Sequence, residues 1–330
     1  MFHMSNDSGL FKNEPEKGLL PLYEAKLLHQ FTHRWASYDG KETNDLSLEK
    51  LRDPYQSITP RYWVESSAVE ERLIRQNWKK SWLLGWRDIT NATNERTIIA
   101  SLLPRAAVGD TFLLMFPGQE YLLKASCLLA TLNSLSFDFI ARQKIAGTHA
   151  KYFTMKQLPV LPPETFGEQE LAFIVPRVLE LVYTAYDLQA FAQDVWAEAD
   201  VDLRGQIIEQ RRANHRATQQ YADDSIANGV KHLNLFQNDA PPPFIWDEQR
   251  RAVLRAELDA LIAKLYGLTR DELRYILDPQ DVYGENFPGE TFRVLKEKEI
   301  KQYGEYRTRR LVLEAWDRLA GWRQGEGVRE

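Results

Sequence analysis

The chain has 330 residues, a net charge of −5 and 44% hydrophobic residues, which is room for two compact units of ordinary globular composition. Its single cysteine, Cys127, excludes an internal disulfide and a cysteine zinc cluster. Neither a long apolar run nor a signal peptide is present, so a cytoplasmic protein with no membrane partner is expected, and the mild acidity argues against non-specific coating of nucleic acid.

Residues 1–18 show no sustained periodicity and form an irregular lead-in. From Leu19 the pattern is ambiguous. Leu22, Lys26 and His29 would share a helical face, while Gln30 to Trp35 alternates like a strand. His29 and His33 are four apart, but no Glu lies between them at the metalloprotease position, so no metal site is expected. Lys41 to Arg52 is polar and predicts a loop. Ile58 to Val64 predicts a short strand, and Glu65 to Lys80 an amphipathic helix capped by Ser66 or Ser67. Ser81 to Arg87 and Thr97 to Leu103 predict two strands joined by a polar connection, Asp88 to Arg96.

Thr111 to Phe116 predicts another strand, closed by Pro117-Gly118. The stretch from Cys127 to Pro163 organises the rest. Leu128, Leu129, Leu132, Leu135, Phe139 and Ile140 share one helical face, and Arg142 and Lys144 lie in the last turn before Gly147. A basic loop follows, then a β-like run from Tyr152 to Met155 that Pro159 ends. Cations therefore gather where helix, glycine loop and strand meet. Such a corner is either merely solvated or an edge that contacts phosphates and bases, since Arg, Lys, Gln, Thr and His reach nucleic acid.

Beyond Pro162-Pro163 the chain turns helical. Glu168 to Phe191 is apolar-periodic with Pro176 as an interruption, and Ala197 to Val230 alternates charge like a solvated helix. NDAPPPF resembles a linker. Trp246 to Tyr266 is an amphipathic helix ended by Gly267, and Thr269 to Glu272 is a capping box. Pro279 to Thr291 predicts a loop, Phe292 to Gln302 a basic helix or turn, and Tyr306 to Trp322 a closing helix.

Several of these blocks together resemble one family. LNSLSFDFIARQKIAGTHAKYFTMKQLPVLPP, MFHMSNDSGLF, LPLYEAKLLHQFTHR, PRYWV and GWRDITNATNERT are similar to the target-recognition part of large adenine N-6 DNA methyltransferases. So is the run from LYGLTRDELRYILD through FPGETFRVLKEKEIKQYGEYRTRRLVLEAW, the most specific of them. These are the enzymes of fused restriction–modification systems and of BREX- and DISARM-like phage defence.

The elements taken in order predict an α/β (α+β) fold in four parts. These are the lead-in 1–18, a small twisted mixed-sheet domain at 19–165, a helical segment with a Pro-rich linker at 166–245, and a helical C-terminal region at 246–330. The resemblance implies double-stranded DNA as partner, with Arg87, Asn91, Asn94, Arg96, Arg142, Gln143, Lys144, Thr148, His149, Lys151 and Lys156 at the interface.

No glycine-rich cofactor turn and no Asn-Pro-Pro-Tyr loop for a flipped base occurs. The chain is therefore expected to bind no cofactor, with SAM confined to a separate catalytic domain. The alternatives are a subunit that docks on a separate methyltransferase or other defence protein, and a free-standing nuclease using Glu297-Lys298-Glu299. Triplets of that last kind arise by chance in charged helices.

Overall fold

The computed structural model describes residues 1–118, 121–145, 147–219, 239–289 and 291–322. It is an α+β fold in which three small sheets are followed by helices. The strands are β1 (Leu19–Tyr23), β2 (Ala36–Asp39), β3 (Glu42–Asp45), β4 (Trp63–Glu65), β5 (Trp82–Arg87), β6 (Ala100–Pro104), β7 (Ala107–Val108) and β8 (Phe112–Met115). One sheet runs β4-β1-β7, antiparallel then parallel, and a second runs β6-β5-β8, antiparallel throughout. The β2–β3 hairpin stands apart, turned by Gly40 in the left-handed region at φ 61°.

The lead-in is irregular but is built into the first sheet. Phe2 is fully buried beside β7, and Lys12 exchanges backbone hydrogen bonds of 2.9 Å with Trp63. The segment expected as a loop, Lys41 to Arg52, contains β3 and the short helix α1 (Leu48–Arg52), which Ser47 caps. Gln30 to Trp35 is no strand. His29 and Thr32 close a tight turn with Phe31 at φ 59°. Helix α2 (Ser66–Arg75) begins at Glu65 without a side-chain cap, so Ser66 lies inside the helix.

The apolar stretch around Cys127 forms two helices, α3 (Leu122–Asn133) and α4 (Leu135–Lys144). Ser134 breaks them: its extended backbone ends α3, and its hydroxyl accepts from Phe137 N at 3.2 Å as the N-cap of α4. The β-like run is a single helical turn, α5 (Tyr152–Met155). Here the Tyr152 hydroxyl bonds Leu114 O at 2.8 Å and its ring stands edge-on to Trp86, a tertiary anchor that overrides local strand preference.

Helix α6 (Glu168–Val182) carries buried Pro176 without ending there. After α7 (Gln189–Glu198) and α8 (Val201–Ala217), part of the helix expected to reach Val230 lies outside the described residues. The supposed linker is buried at Phe244, Ile245 and Trp246, and the Asn214 amide clamps the Ile245 backbone at 2.9 and 3.0 Å. The helices Glu248–Leu265, Arg270–Leu277, Arg293–Tyr303 and Arg307–Arg318 follow the predicted positions. A further turn, Pro279–Tyr283, lies where a loop was expected. Gly267, at φ 74°, ends the first of these, and Thr269 and Glu272 form the capping box.

One apolar core runs from Phe2 to Ile262 across the boundary at 165, and a smaller one unites Leu135 with the last helices. Among the described residues no helix is long and apolar enough to cross a membrane.

Candidate nucleic-acid interface

The structure joins the two polar blocks that the sequence keeps some fifty residues apart. Thr90 N donates to Thr148 O at 3.0 Å, Ala150 N donates to Asp88 O at 2.7 Å, and Ile89 bridges His149. The connection after β5 and the loop after α4 therefore form one corner.

Two buried carboxylates hold it. Asp88, 2% exposed, accepts from the His149 ring at 2.9 Å and from Lys151 Nζ at 2.6 Å. Asp138, in the first turn of α4, accepts from Thr97 N at 3.0 and 3.1 Å. It also forms ion pairs with Arg96 Nε at 3.1 Å and Arg142 Nε at 3.3 Å.

Arg142 is the clamp. Its Nη1 donates to Ala92 O and Thr291 O at 2.7 and 2.6 Å, and its Nη2 to Asn94 O and Glu95 O at 2.8 and 2.9 Å. With Nε on Asp138, all five guanidinium N–H groups are used. Burial lowers its pKa, with Asp138 opposing, and the ring of Phe292 lies 4.5 Å away.

The expectation that Arg142 lies at the DNA interface is therefore corrected: it has no donor left, and its role is to hold the 88–97 loop. Arg96 is likewise turned inward, with Nη2 donating to Asn133 O. Arg87 donates to Leu28 O, and burial pushes its pKa down to about 10. Arg87 and Arg96, too, are placed as parts of the scaffold.

The remaining candidates divide by what they already touch. Asn91 Oδ1 accepts from Thr93 N and Oγ1, both at 2.9 Å, forming a turn of its own loop. Asn94, Gln143, Lys144, Thr148, His149, Lys151 and Lys156 are all exposed. Of these, His149 and Lys151 share Asp88, whereas the Lys144 and Lys156 ammonium groups make no ion pair among the described residues. Phe153, 68% exposed, stands on the same turn as Lys156.

Sequence reasoning missed Asp88 and Asp138. The i,i+4 spacing of Asp138 and Arg142 was the available signal for the second.

His29 and His33 do not share a site. His33 Nε2 meets Asp187 at 2.7 Å, while the His29 ring packs 4.6 Å from Trp35. Among the described residues no group of three His, Cys, Asp or Glu is assembled to hold a metal. In the Glu297-Lys298-Glu299 triplet, Lys298 pairs with Glu95 at 2.6 Å and Glu299 accepts from Thr308 N and Oγ1, both at 2.6 Å. No protein-family model, no curated protein and no solved structure matches this chain.

Proposed function

We propose that the chain is the DNA-binding, target-recognition portion of an adenine-specific N-6 DNA methyltransferase of a restriction–modification or phage-defence system. Double-stranded DNA is its partner, and methyl transfer from SAM belongs to a catalytic domain outside these 330 residues. One observation carries the reading. The two blocks with nucleic-acid side chains, distant in sequence, pair as one corner whose exposed groups are the lysines and amides.

In this reading Lys144, Lys151 and Lys156 meet phosphates, and Thr148 and His149 flank them. Base readout falls to the exposed amides of Asn94 and Gln143, because Asn and Gln pair bidentately with adenine, while Asn91 shapes the loop. The buried arginines keep those amides in place without touching DNA.

The test is fluorescence anisotropy of the whole chain with labelled duplexes, followed by selection from a random-sequence pool. Duplex affinity should fall linearly with log salt, with a slope of about −3 for three or so phosphates met. Selection should enrich a site, and Asn94→Ala/Gln143→Ala should cost about 1–3 kcal/mol on that site alone. No duplex binding at low salt would reject the reading.

A further inference from the structure

A separate cavity of about 100 Å³ lies behind the 95–96 turn, between the His29–Thr32 turn, the Glu248–Leu265 helix and the final two helices. A water needs roughly 10–15 Å³ of such space, so there is room here for a tetrahedral oxyanion.

Three guanidiniums line the cavity: Arg96, Arg255 and Arg307. Among the described residues Arg255 makes no hydrogen bond and no ion pair, and Arg307 lies over the Tyr303 ring at 4.9 Å. Arg96 Nη2 donates to Asn133 O, its Nε is only ion-paired with Asp138, and Nη1 makes no hydrogen bond among the described residues.

Acids also line the walls, but each is already held by another donor. Glu95 pairs with Lys298 at 2.6 Å, and Glu248 accepts from Trp246 Nε1 at 2.8 Å. Asp259 accepts from Leu135 N at 2.7 Å, and Glu299 from Thr308. Glu248, Asp259 and Glu95 also meet the charge of Arg255 through space, so what the cavity leaves open is directed donors: no N–H of the Arg255 fork has a hydrogen-bond acceptor among the described residues. The field agrees. After burial, the largest causes that lower the His29 pKa are the cations Arg87, Arg255, Lys298 and Arg96.

We infer that this cavity binds an oxyanion of the phosphate class, held in the forks of Arg255 and Arg307 with Arg96 Nη1 completing the site. The planar guanidinium fork matches such an anion two bonds at a time. Because Arg96 belongs to the clamped loop, the occupant ties that loop to the C-terminal helices. The ligand is either a free phosphate, inorganic or on a small molecule, or a phosphate of a bound duplex. The inference does not depend on the DNA-binding reading.

The experiment uses the whole chain. Thermal unfolding is followed in sodium phosphate and in pyrophosphate against sodium chloride at matched ionic strength, with calorimetry for affinity. The midpoint should rise with phosphate concentration, and Arg255→Ala should weaken binding by about tenfold or more. Arg255→Lys, which keeps the charge and loses the fork, should fall between, and Glu248→Gln should bind more tightly because one wall charge is gone. Arg75→Ala, at a surface pair with Glu71, should bind like the wild type. Loss of duplex affinity on adding saturating phosphate at fixed ionic strength assigns the site to a backbone phosphate, and unchanged duplex affinity assigns it to a free one. Equal midpoints in phosphate and chloride overturn the inference, as does a folded Arg255→Ala that binds phosphate like the wild type.

Discussion

Arg142 places all five N–H groups on protein oxygens, whereas Arg255, also drawn into the interior, places none on any described residue. Both stand on helices, and burial lowers the pKa of both. What separates them is hydrogen-bond bookkeeping, which a count of charges along the sequence does not contain. A saturated guanidinium is part of the architecture and fixes the loop around it. An unsaturated one leaves directed donors facing space, and that is how a binding site differs from a structural ion pair.

The largest effect should come from breaking the clamp. Arg142→Ala leaves four carbonyls without their donor and Asp138 with one cation fewer, so urea unfolding should register a loss of about 3–5 kcal/mol. A loss under about 1 kcal/mol would place Arg142 among ordinary surface charges.

Asp259 lies on the anionic side of the same cavity. Burial raises its pKa to about 6, with Arg96 opposing. The folded state thus holds this proton more tightly than the unfolded chain. The stabilising contribution is complete below about pH 4, where the unfolded carboxyl is also protonated, and is lost as pH rises through about 6. Asp259→Asn should therefore match the wild type near pH 3.5 and exceed it by about 3 kcal/mol at pH 7, read as unfolding free energy across pH. Parallel stability curves for the two proteins would refute this.

The smallest stability effect is expected at Arg255. Arg255 meets Glu248, Asp259 and Glu95 only through space and makes no hydrogen bond among the described residues, so Arg255→Ala should shift unfolding in phosphate-free buffer by about 1 kcal/mol or less. A loss as large as that of Arg142→Ala would make Arg255 a structural residue and dissolve the contrast.

The strands β5, β6 and β8 were legible in the sequence as short apolar runs bounded by polar turns, and so were the capped helices from Trp246 onward, because local pattern and tertiary demand agree there. It failed where a tertiary contact decides. Tyr152 to Met155 turns helical because Tyr152 is tied to Leu114 and Trp86, and the Pro-rich stretch is buried because Asn214 captures Ile245. The corner itself was legible as a concentration of cations. Which of them point outward was not, since inward Arg142 and outward Lys144 are two residues apart in one helical turn.

The proposal that duplex DNA lies on this corner is tested by the salt dependence of binding by Lys144→Ala/Lys156→Ala. These two lysines are exposed and outside any ion pair among the described residues, so their removal leaves the Asp88 and Asp138 hubs intact. The slope of log affinity against log salt should become shallower by about two, one per lysine, and affinity should weaken alike on every duplex sequence. A slope equal to that of the wild type would mean that neither lysine meets a phosphate and would leave the corner a solvated surface.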